Sequence, residues 1–165
     1  MKKQYKNLLY SIIIILLVLF SFILYNQWPF LIGNTMVLEI IPIDPFDPFM
    51  GQYMVLNYDI SNISELKSES KVYVSLKEDK QGIWRKTSVS IVKPDGDFIK
   101  GIREENSSTV KYGIEQFFFE RNAKVPTENL TAEIKVDNTG RAVLIQLFQN
   151  GNPIKIEYEE FDIRS

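Results

Sequence analysis

A long apolar run near the start of the chain predicts a membrane-spanning helix. Residues 8–25 read LLYSIIIILLVLFSFILY and contain no charged side chain. A helix of this length covers about 27 Å, close to the thickness of the hydrocarbon core of a bilayer. Backbone groups inside lipid must bond to one another, so the many β-branched isoleucines do not prevent a helix there. The lipid bilayer is therefore an expected partner of residues 8–25.

Basic residues before the apolar run predict its orientation. Lys2, Lys3 and Lys6 precede it, and no acidic residue occurs in residues 1–25. Positively charged flanks stay on the cytoplasmic side of a membrane. We therefore expect a cytoplasmic N-terminus and an extracytoplasmic C-terminal domain.

The end of the apolar run favours a retained anchor over a cleaved signal peptide. Residues 26–30 read NQWPF and lack the small residues of a cleavage site. A lipoprotein anchor would need a cysteine, and the chain has none. The sequence predicts residues 1–27 as cytoplasmic tip and transmembrane anchor in the cell membrane, and residues 28–165 as an extracytoplasmic β-rich domain. Residues 26–34 are expected to act as a short spacer.

Alternating apolar and polar positions after residue 34 predict strands. The turn sequences at residues 137–140 and 150–151 separate the last three strands into a meander. The expected fold is mostly β: one N-terminal transmembrane helix, then an antiparallel sheet or open barrel with little helix. The alternating patterns occupy residues 36–41, 53–58, 72–76, 83–92, 98–102, 131–136, 141–149 and 153–161.

Composition excludes several kinds of chemistry. The chain has no histidine and no cysteine, which removes disulfides, Cys/His zinc sites and Ser-His-Asp or Cys-His catalysis. Three of 19 basic residues and none of 21 acidic residues precede residue 26, so the remainder carries a charge of −5. This balance argues against nucleic acid as a partner and against electrostatic attraction to anionic lipid. No cofactor and no metal are predicted.

Two motifs carry a resemblance to a known family. Residues 51–58 read GQYMVLNY after the proline-rich lead-in at 42–48, and residues 112–118 read YGIEQFF. With the meander at residues 132–154, they resemble the GDYXXLXY family of small membrane-anchored bacterial proteins of unknown function. The resemblance implies a location and a fold rather than a reaction. It also suggests a multi-pass membrane protein as a partner, because such proteins are often encoded beside family members.

One position departs from the family pattern. Gln52 stands where the family usually has aspartate. If that acid bound a metal or moved protons, this chain lacks the activity, whereas glutamine still forms hydrogen bonds. We therefore expect a structural role for Gly51 and Gln52, since glycine permits a positive φ or a close backbone contact at the entry to a strand.

Alternation within the first motif separates its two tyrosines. Tyr53 lies on one face of the predicted strand, and Leu56 and Tyr58 lie on the other. Aromatic residues in strands usually pack, so we expect Leu56 and one tyrosine to enter the core. The alternative is a tyrosine-lined groove with Asp44 and Asp47 at its rim.

Three carboxylates have more than one interpretation. Asp44 and Asp47 could bind a hard cation such as calcium, but they supply only two of the roughly six or more oxygens required. Capping of turns is the commoner use of such aspartates. Glu115 lies among apolar residues, where it either serves as a paired structural buttress or forms an acid–base pair with Asp44 or Asp47.

The favoured function is a non-catalytic binding or accessory module for a membrane partner or a small ligand. The rival is a membrane-anchored hydrolase that uses Asp44, Asp47 and Glu115, and a third possibility is a purely structural accessory domain. Convergence of the three carboxylates in one cleft would favour the hydrolase. The candidate binding residues are Asp44, Asp47, Gly51, Gln52, Tyr53, Leu56, Tyr58, Tyr112 and Glu115.

Overall fold

The apolar run forms one continuous helix, α1 (Lys3–Ile32), in the computed structural model. Residues Tyr5–Ile32 are long and apolar enough to cross a membrane. Residues 26–32, expected to be part of a spacer, belong to this helix, and only Gly33 separates it from the first strand. The structure describes residues 3–41, 53–63, 70–103, 107–119, 123–124, 126, 128–154 and 157–158.

The described residues after the helix are almost entirely strand and turn. Their only helical element is a three-residue 3₁₀ turn, η1 (Asp59–Ser61). The mostly β fold is thereby confirmed. The strands are β1 (Asn34–Ile41), β2 (Tyr53–Val55), β3 (Asn57–Tyr58), β4 (Ser70–Glu78), β5 (Trp84–Ser90), β6 (Phe98–Arg103), β7 (Val110–Lys111), β8 (Gln116–Phe118), β9 (Ala123–Lys124), β10 (Leu130–Val136), β11 (Ala142–Gln149), β12 (Asn152–Pro153) and β13 (Glu157–Tyr158).

The largest sheet continues directly from the helix. Its order is β12-β11-β10-β1-β3. Strand β1 starts at the helix end and pairs antiparallel with β10, from Asn34↔Val136 to Glu39↔Thr131. The turn between β10 and β11 therefore lies at the same end of the sheet as the end of α1. The predicted meander is present in β10, β11 and β12.

The last predicted strand, residues 153–161, is divided. Strand β12 pairs with β11, whereas β13 pairs with β9 in a separate two-stranded sheet. One more backbone bond follows β12, from the Ile154 N–H to the Leu147 carbonyl at 3.0 Å. The described residues also form a sheet of order β5-β4-β6-β7, which contains the predicted hairpin of residues 72–92, and a β2–β8 pair.

One apolar cluster joins the five-stranded sheet, the four-stranded sheet and β2. Every second residue of β10 is buried, as are alternate residues of β1 and β4, so each strand turns one face inward. Burial of each valine, leucine, isoleucine or methionine side chain stabilises the fold by about 1.5–3 kcal/mol relative to exposure. The buried members from these strands are Met36, Leu38, Ile40, Val72, Val74, Leu76, Leu130, Ala132, Ile134 and Val136.

Candidate functional site

The two family-like motifs lie side by side in the fold. Strand β2 belongs to the first motif and β8 to the second, and they pair antiparallel with Tyr53↔Phe118 and Val55↔Gln116. Just beyond β2, the backbone N–H of Leu56 donates to the Glu115 carbonyl at 2.7 Å. The motifs are thus joined through their backbones.

Two buried tyrosines donate hydrogen bonds that join the second motif to the end of the first motif and the turn after it. The Tyr58 hydroxyl donates to the Ile114 carbonyl at 2.7 Å, and the Tyr112 hydroxyl donates to the Ile60 carbonyl at 2.8 Å. Burial, and to a lesser extent the nearby Glu115 charge, raises the pKa of both phenols. Both hydroxyls therefore remain protonated donors at neutral pH. We call this arrangement of Tyr58 and Tyr112 with their two carbonyl partners the tyrosine pair.

The Glu115 carboxylate caps the turn that precedes β8. One oxygen accepts the backbone N–H of Tyr112, and the other accepts that of Gly113 at 2.9 Å. Both oxygens are therefore engaged by the backbone of the same turn. These bonds are what the interpretation of Glu115 as a structural buttress predicts. Leu56 enters the core as expected, and Tyr58 is the tyrosine that joins it; their exposed fractions are 1% and 0%.

The remaining candidate residues are only partly placed. Tyr53 lies in β2. Asp44, Asp47, Gly51 and Gln52 lie outside the described residues. The alternative in which Asp44 or Asp47 converges with Glu115 therefore stays a hypothesis. Within the described ranges, no group of three or more carboxylates is arranged to hold a metal ion.

A second site, the junction between helix and sheet, is absent from the sequence predictions. The Lys135 ammonium on β10 donates to the Phe30 carbonyl at 2.9 Å and lies 5.3 Å from the centre of the Phe30 ring. The Arg141 guanidinium lies 4.2 Å from the centre of the Tyr25 ring. Two cations thus contact the last turns of α1, where helix carbonyls concentrate negative charge. We call Tyr25, Phe30, Gly33, Lys135 and Arg141 the helix junction.

Gly33 allows the helix to end directly against β10. Its N–H donates to the Pro29 carbonyl at 2.8 Å. A Cβ at this position would lie 2.3 Å from that oxygen and 3.0 Å from the Val136 nitrogen. A side chain would therefore push the helix away from the sheet.

Asp137 holds the neighbouring turn in shape. Its buried carboxylate accepts bonds from the Thr139 hydroxyl at 2.6 Å and from the Arg141 side chain at 3.0 Å, as well as from both backbone N–H groups. Burial opposes ionisation, but the bonds from Thr139 and Arg141 outweigh it and hold the pKa of Asp137 below its ordinary value. Gly140 completes the turn with φ +82°. The turn thereby fixes Arg141 against the helix.

A cleft of about 520 Å³ opens beside this junction. It lies between the end of α1, the loop that precedes β6 and the β10–β11 turn. Its lining combines apolar side chains with carboxylates and one lysine, so the cleft is amphipathic. We call it the helix-end cleft, and its lining residues are Ile32, Asn34, Met36, Lys93, Pro94, Asp95, Gly96, Asp97, Phe98, Val136, Asp137 and Asn138.

Comparison with known proteins assigns the chain to a family. The sequence model of the family described as GDYXXLXY protein matches residues 15–147. The chain belongs to the GDYXXLXY family. No curated protein and no solved structure matches the chain. In this GDYXXLXY protein, the leucine and the second tyrosine of the family motif are core residues, Leu56 and Tyr58, and the family's function is uncharacterised.

Proposed function

We propose that this GDYXXLXY protein is a single-pass membrane protein whose β domain is a non-catalytic accessory module for a multi-pass membrane partner. The observation that carries the proposal is the direct attachment of the domain to its helix. Helix α1 ends at Ile32 and β1 begins at Asn34. A domain attached in this way keeps one face towards the bilayer.

The contacts at the helix junction support a fixed orientation. A flexible tether would let the domain turn freely, whereas the cations of Lys135 and Arg141 contact successive turns of α1. Each cation–aromatic contact contributes about 0.5–2 kcal/mol, depending on its exposure to water. A fixed face at the membrane surface suits a partner embedded in the same bilayer.

The surroundings of Glu115 favour a non-catalytic role. A general acid or base must exchange its proton with a substrate. Both Glu115 oxygens already accept backbone N–H groups, and proton exchange would disrupt that turn. Of the three carboxylates in the hydrolase alternative, the structure describes only Glu115, and its bonds argue against that alternative.

The proposed topology places the N-terminus in the cytoplasm and the domain outside. Because the chain has no cysteine, single-cysteine variants report on one position each. Asn152→Cys should react with a membrane-impermeant maleimide on intact cells, and Gln4→Cys should react only after permeabilisation. The opposite pattern would overturn the topology.

The proposed partner can be tested with a photo-crosslinking residue at the exposed position Asn138, beside the helix-end cleft, and at the exposed position Asn152, at the other end of the sheet. We expect one discrete crosslinked membrane protein from one position only. Insertion of a flexible Gly-Ser segment between Ile32 and Gly33 should weaken it strongly. Identical products at both positions, unchanged by the insertion, would contradict an oriented accessory module.

A further inference from the structure

We infer that the loop at residues 91–93, which we call the apolar loop, enters the lipid interface beside helix α1, so that the protein contacts the bilayer at a second place. This inference rests on the proposed membrane anchoring and adds a lipid-binding surface to it. The ligand class is the bilayer surface itself.

The apolar loop exposes two adjacent β-branched side chains. Ile91 is 63% exposed and Val92 is 70% exposed, and Lys93 follows them. A single exposed apolar residue is ordinary on a protein surface. Two in succession form a pattern that suits a membrane interface.

Contacts at both ends hold the apolar loop in position. The Val92 N–H donates to the Ser90 hydroxyl at 3.0 Å. The Lys93 ammonium lies 5.4 Å from the centre of the Phe98 ring, and the Leu76 N–H donates to the Asp97 carbonyl at 2.9 Å. The two apolar side chains are therefore presented to solvent by a braced loop.

The location of the loop connects it with the helix. Lys93 and Pro94 line the same helix-end cleft as Ile32, the last residue of α1. The apolar loop directly precedes them in sequence. It therefore lies beside the end of the helix, at the side of the domain that faces the bilayer in the proposed arrangement.

The length of the helix brings its end to the interface. The 28 residues of Tyr5–Ile32 span about 42 Å at 1.5 Å per residue, against a hydrocarbon core of about 30 Å. With residues 8–25 in the hydrocarbon core, the last two turns of α1 lie in the headgroup region. Phe30, Leu31 and Ile32 are exposed there, so the end of the helix is itself apolar.

The charge of the domain indicates which force makes the contact. Residues 26–165 carry −5, and Asp95 and Asp97 follow the apolar loop. Attraction to anionic lipid therefore cannot be the main force. The main force is the burial of the apolar side chains of Ile91 and Val92. A contact of this kind is insensitive to salt, unlike one made by a polybasic surface.

The test uses the full chain in phosphatidylcholine vesicles, with an environment-sensitive fluorophore on one introduced cysteine. The positions are Val92→Cys in the loop, Ser21→Cys in the helix and Asn152→Cys at the other end of the sheet. Lipids that carry a quencher should strongly quench the fluorophore at residue 21. They should quench the fluorophore at residue 92 about twofold more than the one at residue 152, because only residues 21 and 92 reach lipid. High salt should not change this result.

A matched substitution separates the affinity of the loop for lipid from the affinity of the fluorophore for lipid. Ile91→Ser should lower the quenching at residue 92, whereas Thr87→Ser, at another exposed position, should not. Quenching at residue 92 no greater than at residue 152 overturns the inference while the anchor stands. Quenching that rises with the protein-to-lipid ratio indicates a second copy on the loop and also overturns it. Absence of quenching at residue 21 overturns the anchoring itself, and with it the proposed function.

Discussion

At the scale of single residues, the side chains of Tyr58, Glu115 and Lys135 each bond to a backbone group. Tyr58 and Glu115 illustrate how much of this was predictable. Alternation placed Leu56 and Tyr58 on one face of the strand, because side-chain direction follows from period 2, but it left open which tyrosine enters the core. In the structure that tyrosine is Tyr58. Its partner carbonyl belongs to Ile114, 56 residues away, and no local pattern reveals such a pair. The sequence left open whether Glu115 is a buttress or an acid, because the choice depends on the turn around it.

Removal of the Tyr58 hydroxyl tests the tyrosine pair. Tyr58→Phe leaves the buried Ile114 carbonyl without its donor, which should lower the free energy of unfolding by about 1–3 kcal/mol. Thermal unfolding of the full chain in detergent, followed through the β-sheet signal, measures this. Tyr73→Phe at a half-buried position is the matched control and should change it by less than about 0.5 kcal/mol. A Tyr58→Phe protein as stable as the parent would mean that this bond is dispensable.

Asp137 predicts a specific dependence of stability on pH. Because its folded-state pKa lies below the ordinary value, its contribution is complete above about pH 4 and is lost as the pH falls through the folded-state pKa. Asp137→Asn should lower the free energy of unfolding by about 1–3 kcal/mol at pH 7, since bonds to an ionised group are lost. Melting curves of parent and variant should converge at acidic pH. A constant gap between them from pH 7 to pH 2 would exclude this role.

At the scale of elements, the sequence predicted the strands well and the connection between helix and sheet poorly. Alternation located the strands of the meander and of the β4–β5 hairpin. The sequence predicts a spacer over residues 26–34, yet α1 continues to Ile32. Lys135, whose ammonium bonds to the Phe30 carbonyl, lies 105 residues further along the chain. The capping of this helix end therefore depends on the finished sheet, and the sequence around residue 29 does not contain it.

Gly33 is the element-scale test of that connection. In Gly33→Ala, the new Cβ would lie 2.3 Å from the Pro29 oxygen of α1 and 3.0 Å from the Val136 nitrogen of β10, so the helix end and the strand must move apart. Overpacking of this kind costs about 1–3 kcal/mol, which should appear as a lower melting temperature of the full chain in detergent. Asn34→Ala, at the exposed next position, serves as the control. Equal melting temperatures for both variants and the parent would show that the close approach at Gly33 is not required.

At the scale of the whole molecule, the helix and the β domain form one continuous body rather than two tethered parts. A helix followed by a mostly β domain could be predicted from the apolar run, the strand alternation and the family motifs. The assembly of strands into several sheets around one core was not predictable, because strand order depends on packing between distant segments. The helix-end cleft follows from that assembly, since its walls come from three separate parts of the chain.

The most direct test of this account is the distance between the helix and the domain in a bilayer. Spin labels at Ser21→Cys and Gln146→Cys, both exposed positions, report it by pulsed electron paramagnetic resonance in lipid nanodiscs. The helix junction predicts one narrow distance distribution for the otherwise unchanged chain. Insertion of a flexible Gly-Ser segment between Ile32 and Gly33 should broaden it clearly. A parent distribution as broad as that of the insertion variant would contradict a domain fixed to its helix.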